Sequence, residues 1–174
     1  MSISLFELSV QSYLQGLGGV NGFLAKGAQH FAEHNIDPNE ILEARLAEDM
    51  LPFTFQLISI AHHSLGALNG LLNGTFSPPP PIPELDYAGW QELIAGAFDE
   101  VAKFSAEQID ATAGNSITFK AGEIVLPFTA EDFIWSFSLP NFNFHATTAY
   151  DILRHKGVPL SKRDYMGKMK IARG

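Results

Sequence analysis

Pro140 stands near the middle of a stretch that every neighbouring signal marks as one long helix, and it limits what that stretch can become. Thr129, followed three residues later by Asp132, is a variant of the N-terminal capping box, and Gly157 with Pro159 beyond it is a helix stop. These signals predict one helix of about 27 residues. A proline inside it removes a backbone donor and clashes with the carbonyl of Ser136, at a cost of about 3 kcal/mol unless the helix bends. The sequence therefore predicts a kink at 136–140, with carbonyls near Ser136 freed to point into the protein.

At about 100° per residue, Phe133, Phe137, Asn141, Phe144, Thr148, Ile152 and His155 share one side of this helix, with His145 on its shoulder. Asn141, His145 and Thr148 thus interrupt an apolar face. A polar side chain on a buried face costs free energy unless it is satisfied, so the interruptions point to a site. Arg154 and His155 at the helix C-terminus are expected to serve the helix dipole.

The rest of the chain reads as scaffold. Its 174 residues, 46% hydrophobic with 14 Phe and only 17% charged, make one domain able to bury about 70% of its unfolded surface. Cysteine is absent, which excludes disulfides and thiolate metal sites and leaves His, Asp and Glu as the metal-ligating types. Residues 1–20 lack the basic start of a secretory signal, and the uncharged runs 8–25 and 53–83 are broken by Gln, Ser, Asn, Gly and His. A cytoplasmic protein with no membrane span is expected. Only Asp164 among the 19 acidic residues lies beyond residue 153, whereas Arg154, Lys156, Lys162, Arg163, Lys168, Lys170 and Arg173 do so among the 11 basic ones. An acidic body argues against nucleic acid, and the basic tail, 157–174, is expected to pack on it.

In chain order, a first helix is expected from Leu5 to about Glu33, with glycines at 16, 18, 19 and 22 for close packing. His30 and His34 at its end read as a solvated helix terminus. Asp37-Pro38-Asn39-Glu40 opens a new helical segment, and Asp49, three residues before Pro52, is a second N-cap for a helix from about Met50 to Leu72. On that helix Asp49, Gln56 and His63, each seven apart, line one flank, and His62 points roughly the other way. Ser77 to Pro83 is a stiff extended connection. Asp86 caps a third helix, Tyr87 to about Ile109. Residues 115–128 then alternate with period two across a turn at 120–123, which predicts one antiparallel β-hairpin and no other sheet. The fold class expected is all-α, a four-helix bundle with an accessory β-hairpin between helices 3 and 4, and three or more paired strands would sink that assignment. The low charge density further predicts a homodimer through helix faces.

The runs PNFNFHATTAYDILRHKGVPLSKRDY at 140–165 and ARLAEDMLPFTFQ at 44–56 resemble a domain-of-unknown-function family of fungal and bacterial proteins, placed with the DinB/YfiT-like candidate metalloenzymes. The resemblance implies a DinB-like bundle. It further implies a divalent metal held by three histidines, one on the second helix and two, four apart, on the last core helix, with thiol-dependent transfer or isomerisation as the associated chemistry. His145 matches the first of the helix-4 pair, His62 or His63 stands for the helix-2 ligand, and Ala149 occupies the place of the third.

Three readings follow. The first is a polar pocket between helices 2 and 4 that binds a small molecule, with His145 and Asp49 as a non-metal catalytic pair, Asn141, Gln56 and Thr148 as ligand-binding groups, and Phe142 or Phe144 and Trp135 as apolar walls. The second is a zinc- or nickel-dependent transferase or isomerase using His145, His62 or His63, and Asp49. The third is a non-catalytic bundle whose internal polar groups satisfy one another.

Overall fold

A computed structural model describes residues 3–171. Its first helical rod is a π-helical segment, Glu7–Gln11, running into α1, Ser12–Glu33. Tyr13, Leu17, Val20 and Leu24 recur at helical spacing and are buried. Gly16 and Gly19 have a packing reason: a Cβ at Gly16 would overlap the Phe142 ring, and one at Gly19 the Tyr165 carbonyl.

Asp37 caps a 3-10 turn, Pro38–Ile41, as expected from its sequence. The second rod starts at Phe53 instead of Met50, and its N-cap is Pro52, not Asp49. Asp49 lies exposed in a turn. The first donors of the helix need no side-chain cap there, because Phe53 N and Thr54 N reach back to the carbonyls of Ala44 and Leu42, at 2.8 and 3.2 Å. The rod comprises α2, Phe53–Ala61, a π-helical segment, His62–Gly66, and α3, Ala67–Asn73.

Gly74 ends α3 in the left-handed conformation (φ 70°) and turns the chain back sharply. Thr75–Phe76 then form β1, which pairs in parallel with β2, Ser116–Ala121; β2 pairs antiparallel with β3, Ile124–Thr129. The hairpin is where the alternation placed it, but the sheet has three strands rather than two. A two-residue strand has no period to read. It sits at a helix end and replaces no helix, so the third strand does not displace the helical rods.

The third rod, α4 (Tyr87–Val101), begins at the Asp86 cap and stops earlier than expected. Ser105 and Gln108 form a capping box that starts a separate short helix, α5, Ala106–Asp110. The fourth rod runs through α6, Ala130–Asp132, a π-helical segment, Phe133–Ser138, and α7, Leu139–His155. Both α1 and α2 pack against α4 and against α7. The tail forms α8, Lys162–Met166, on α1, held by the Lys26–Asp164 ion pair and a Gln15 side-chain bond to the Met166 carbonyl. Arg173 lies outside the described residues.

The π-helical segment before Pro140 accounts for how the helix takes up the proline. Wider π turns absorb the distortion, and the α geometry restarts at Leu139 with Pro140 in its first turn, where a missing donor is tolerated. The extra residue rotates everything beyond it by about 100° relative to an unbroken helix. The buried set after it is therefore centred on Phe142, Ala146, Ala149 and Leu153, with Thr148 and Ile152 at its edge, while Phe144, expected inward, is 57% exposed.

Candidate functional site

Three π-helical segments, one in each of three rods, meet around a buried hydrogen-bond chain. Tyr13 OH, two residues past the first segment, donates to Ser138 Oγ at 2.8 Å, and Ser138 Oγ donates to the backbone carbonyl of His63 at 2.8 Å. Tyr13 and Ser138 are fully buried. A π turn leaves the local ladder irregular, which is why such segments recur at functional sites.

Beside this chain α2 and α7 bring together Gln56, His63 and His145. His145 Nδ1 lies 2.7 Å from Gln56 Oε1. The amide of Gln56 is oriented by its other end, because Nε2 donates to the carbonyls of Leu51 at 2.9 Å and Pro52 at 3.4 Å, and carbonyls only accept. Oε1 is therefore the acceptor that faces His145, and Nδ1 of His145 carries the proton. In the neutral ring this leaves a lone pair on Nε2, which has no partner among the described residues.

His63 stacks nearly parallel to His145, with ring centroids 6.0 Å apart at 18°. It is buried, and its Nδ1 has no hydrogen-bond partner among the described residues. Burial holds His145 down at about 4 and, together with repulsion from His62 and His145, His63 down at about 3, so both rings are neutral at pH 7. Phe55 and Phe144 flank His145, at 5.7 and 5.3 Å between centroids, and Phe137 flanks His63 at 5.8 Å.

Among the residues singled out from sequence, His145, Gln56, His63 and Phe144 come together. Asn141 and Thr148 are nearby on α7, but each bonds back to its own helix, to Phe137 O at 2.7 Å and Phe144 O at 2.8 Å. Asp49 is exposed in the turn before α2, and Trp135 is 68% exposed. His62 faces away from His145 and reaches Ser77 O at 2.6 Å, while Ala149 is buried in the core. Five surface clefts have volumes of about 200 to 630 Å3, and His145 lines none of the five. Sequence reasoning missed Tyr13, Ser59, Phe55 and Ser138. Ser59, one turn before His63, has a buried Oγ that is also without a partner among the described residues, and that i, i+4 spacing was the available signal.

The model of one family, the domain of unknown function DUF1993, matches residues 5–166. The chain belongs to the DUF1993 family. No match was found among curated proteins. The DUF1993 chain is also similar to a solved structure, a DinB family member protein from Shewanella denitrificans, with 25% identity, a TM-score of 0.79, and coverage of 98% of this chain and 96% of that one. The fold is thus DinB-like, mostly helical with a small three-stranded sheet.

The donor chemistry of this DUF1993 chain bears on the metal that the DinB resemblance implies. His63 and His145 are neutral imidazoles on facing rods, as metal ligation requires. The third place is filled by the methyl group of Ala149, and among the described residues no three His, Cys, Asp or Glu side chains come together. Two protein nitrogens fall short of the three that a catalytic zinc centre uses, so the residues present do not complete such a site.

Proposed function

We propose that the His145–Gln56–His63 cluster is a binding site for an uncharged small molecule carrying a hydrogen-bond donor, on a DinB-like four-helix bundle built from the four rods. The observation that carries the reading is the fixed tautomer of His145: Gln56 directs its proton to Nδ1 and leaves Nε2 as a bare acceptor on a half-buried ring. A general base works best with a pKa near the operating pH, and a ring held at about 4 is a weak proton acceptor at pH 7. The cluster is therefore better suited to accept a hydrogen bond than to abstract a proton, and its aromatic surroundings (Phe55, Phe144, Phe137) favour a neutral, flat ligand.

The test is a thermal-shift screen of neutral alcohols and amides against the wild type, His145→Ala and Gln56→Ala. The reading expects a compound class that raises the wild-type melting temperature and loses that effect in both variants. Hits that stabilise His145→Ala as well as the wild type would overturn it.

The metal-dependent transferase or isomerase is the second reading, supported by the two neutral imidazoles and the DinB-like fold. Its mark would be a melting temperature that rises with stoichiometric zinc or nickel and falls back in His63→Ala. Homodimer formation keeps support from the exposed Trp135 and Phe144 on the fourth rod, and light scattering would give a mass near twice 19.0 kDa.

A further inference from the structure

A cleft lies on the side of the α2 rod that carries His62, between the His62–Gly66 π segment and α4, beside Pro80 of the extended connection. Its volume is about 410 Å3, within the usual range of small-molecule sites, about 300–1,000 Å3. Small residues line it (Ala61, Gly66, Gly96 and Ala97), with Leu65, Leu93 and Pro80 as apolar walls.

One ring sets its polarity. His62 Nε2 lies 2.6 Å from the carbonyl of Ser77, which only accepts, so Nε2 carries the proton and Nδ1 of the neutral ring is an acceptor. Burial lowers the His62 pKa, which keeps the ring neutral at pH 7. Gly66, itself part of the lining, lies against the ring: a Cβ built on it would lie 2.9 Å from Nδ1. Nδ1 has no hydrogen-bond partner among the described residues. Asn69, one turn beyond Leu65, adds an amide at the rim with no hydrogen bond among the described residues. No Asp, Glu, Lys or Arg lines this cleft, and Lys103 and Glu100 in the adjoining one are paired with each other.

From this geometry we infer that the cleft binds an uncharged aromatic ring bearing one hydroxyl or N–H donor, such as a phenol or an indole. The ring lies on the small-residue floor under Pro80 and its donor bonds His62 Nδ1. The flat floor favours a ring over an alkyl chain, and the lone acceptor favours a donor-bearing ring over a plain hydrocarbon.

Gly96 provides a clean block. A Cβ there meets nothing within 4 Å, so a longer side chain can enter the cleft without displacing the fold, and replacing an internal helix glycine favours the helix. The experiment titrates the full chain with phenol, indole and toluene and follows backbone amide shifts. Phenol and indole are expected to shift the amides of Ala61, Leu65 and Gly96, with toluene binding about tenfold more weakly, the weight of one hydrogen bond. Gly96→Met should remove phenol binding with its melting temperature unchanged or raised. His62→Phe should reduce phenol affinity to that of toluene, and His145→Ala should leave it unchanged, which separates this site from the cluster proposed above. Absence of shifts at those three amides, equal binding of phenol and toluene, or undiminished binding by Gly96→Met would overturn the inference.

Discussion

Nδ1 of His145 and Oε1 of Gln56, 89 residues apart in sequence, lie 2.7 Å apart across the α2–α7 contact. The relationship depends on the helix start at Phe53, because the carbonyls of Leu51 and Pro52 at that start hold the Gln56 amide in its orientation. Gln56→Glu tests it. A carboxylate in place of the amide stabilises the imidazolium, so the His145 titration followed by NMR should move up by at least about one pH unit. An unmoved titration would place the His145 ring elsewhere.

Acid sensitivity follows from the two depressed histidines. In the unfolded chain each has a pKa near 6.5, whereas in the folded protein His145 is at about 4 and His63 at about 3. The unfolded state therefore binds more protons between those values, and stability falls as pH drops below 6.5, levelling off only below about 4 and about 3. The loss is at most about 1.4 kcal/mol per pH unit per ring. Urea unfolding at pH 7 and pH 4.5 should show this slope in the wild type and a shallower one in His63→Phe and His145→Phe.

The Tyr13–Ser138–His63 chain predicts a coupling. Ser138→Ala leaves the buried Tyr13 hydroxyl without its acceptor and should cost about 1–3 kcal/mol, and Tyr13→Phe should cost less on the Ser138→Ala background than on the wild type. A double-mutant cycle by chemical denaturation reads the difference.

Pro140 gives a prediction opposite to that for an uninterrupted helix. The π-helical segment already accommodates the ring, so Pro140→Ala should change stability by less than about 1 kcal/mol instead of restoring about 3. A large gain would mean that Pro140 strains the helix.

The sequence made the rods visible because Asp86, Thr129 and Gly157 punctuate them and the apolar residues repeat at 3.6. It also placed Gln56 and His63 on one flank of the second rod. Periodicity could not reveal the π turn at 133–138, and so it carried the wrong phase forward: it turned Phe144 inward and overlooked Ala146. Asp49 misled for a related reason. It has the right spacing to cap a helix at Met50, but the carbonyls of Leu42 and Ala44 satisfy the helix start, and those long-range bonds leave no mark in local sequence. The link from Tyr13 to Ser138 spans 125 residues and has no sequence signal at all.

The most direct test is the tautomer of His145 at pH 7, read from two-bond proton–nitrogen correlations of the imidazole. The expected result is a neutral ring with Nδ1 protonated and Nε2 bare, and a change at Nε2 when a ligand from the thermal-shift screen is added. A ring protonated at Nε2, or an imidazolium, would contradict it.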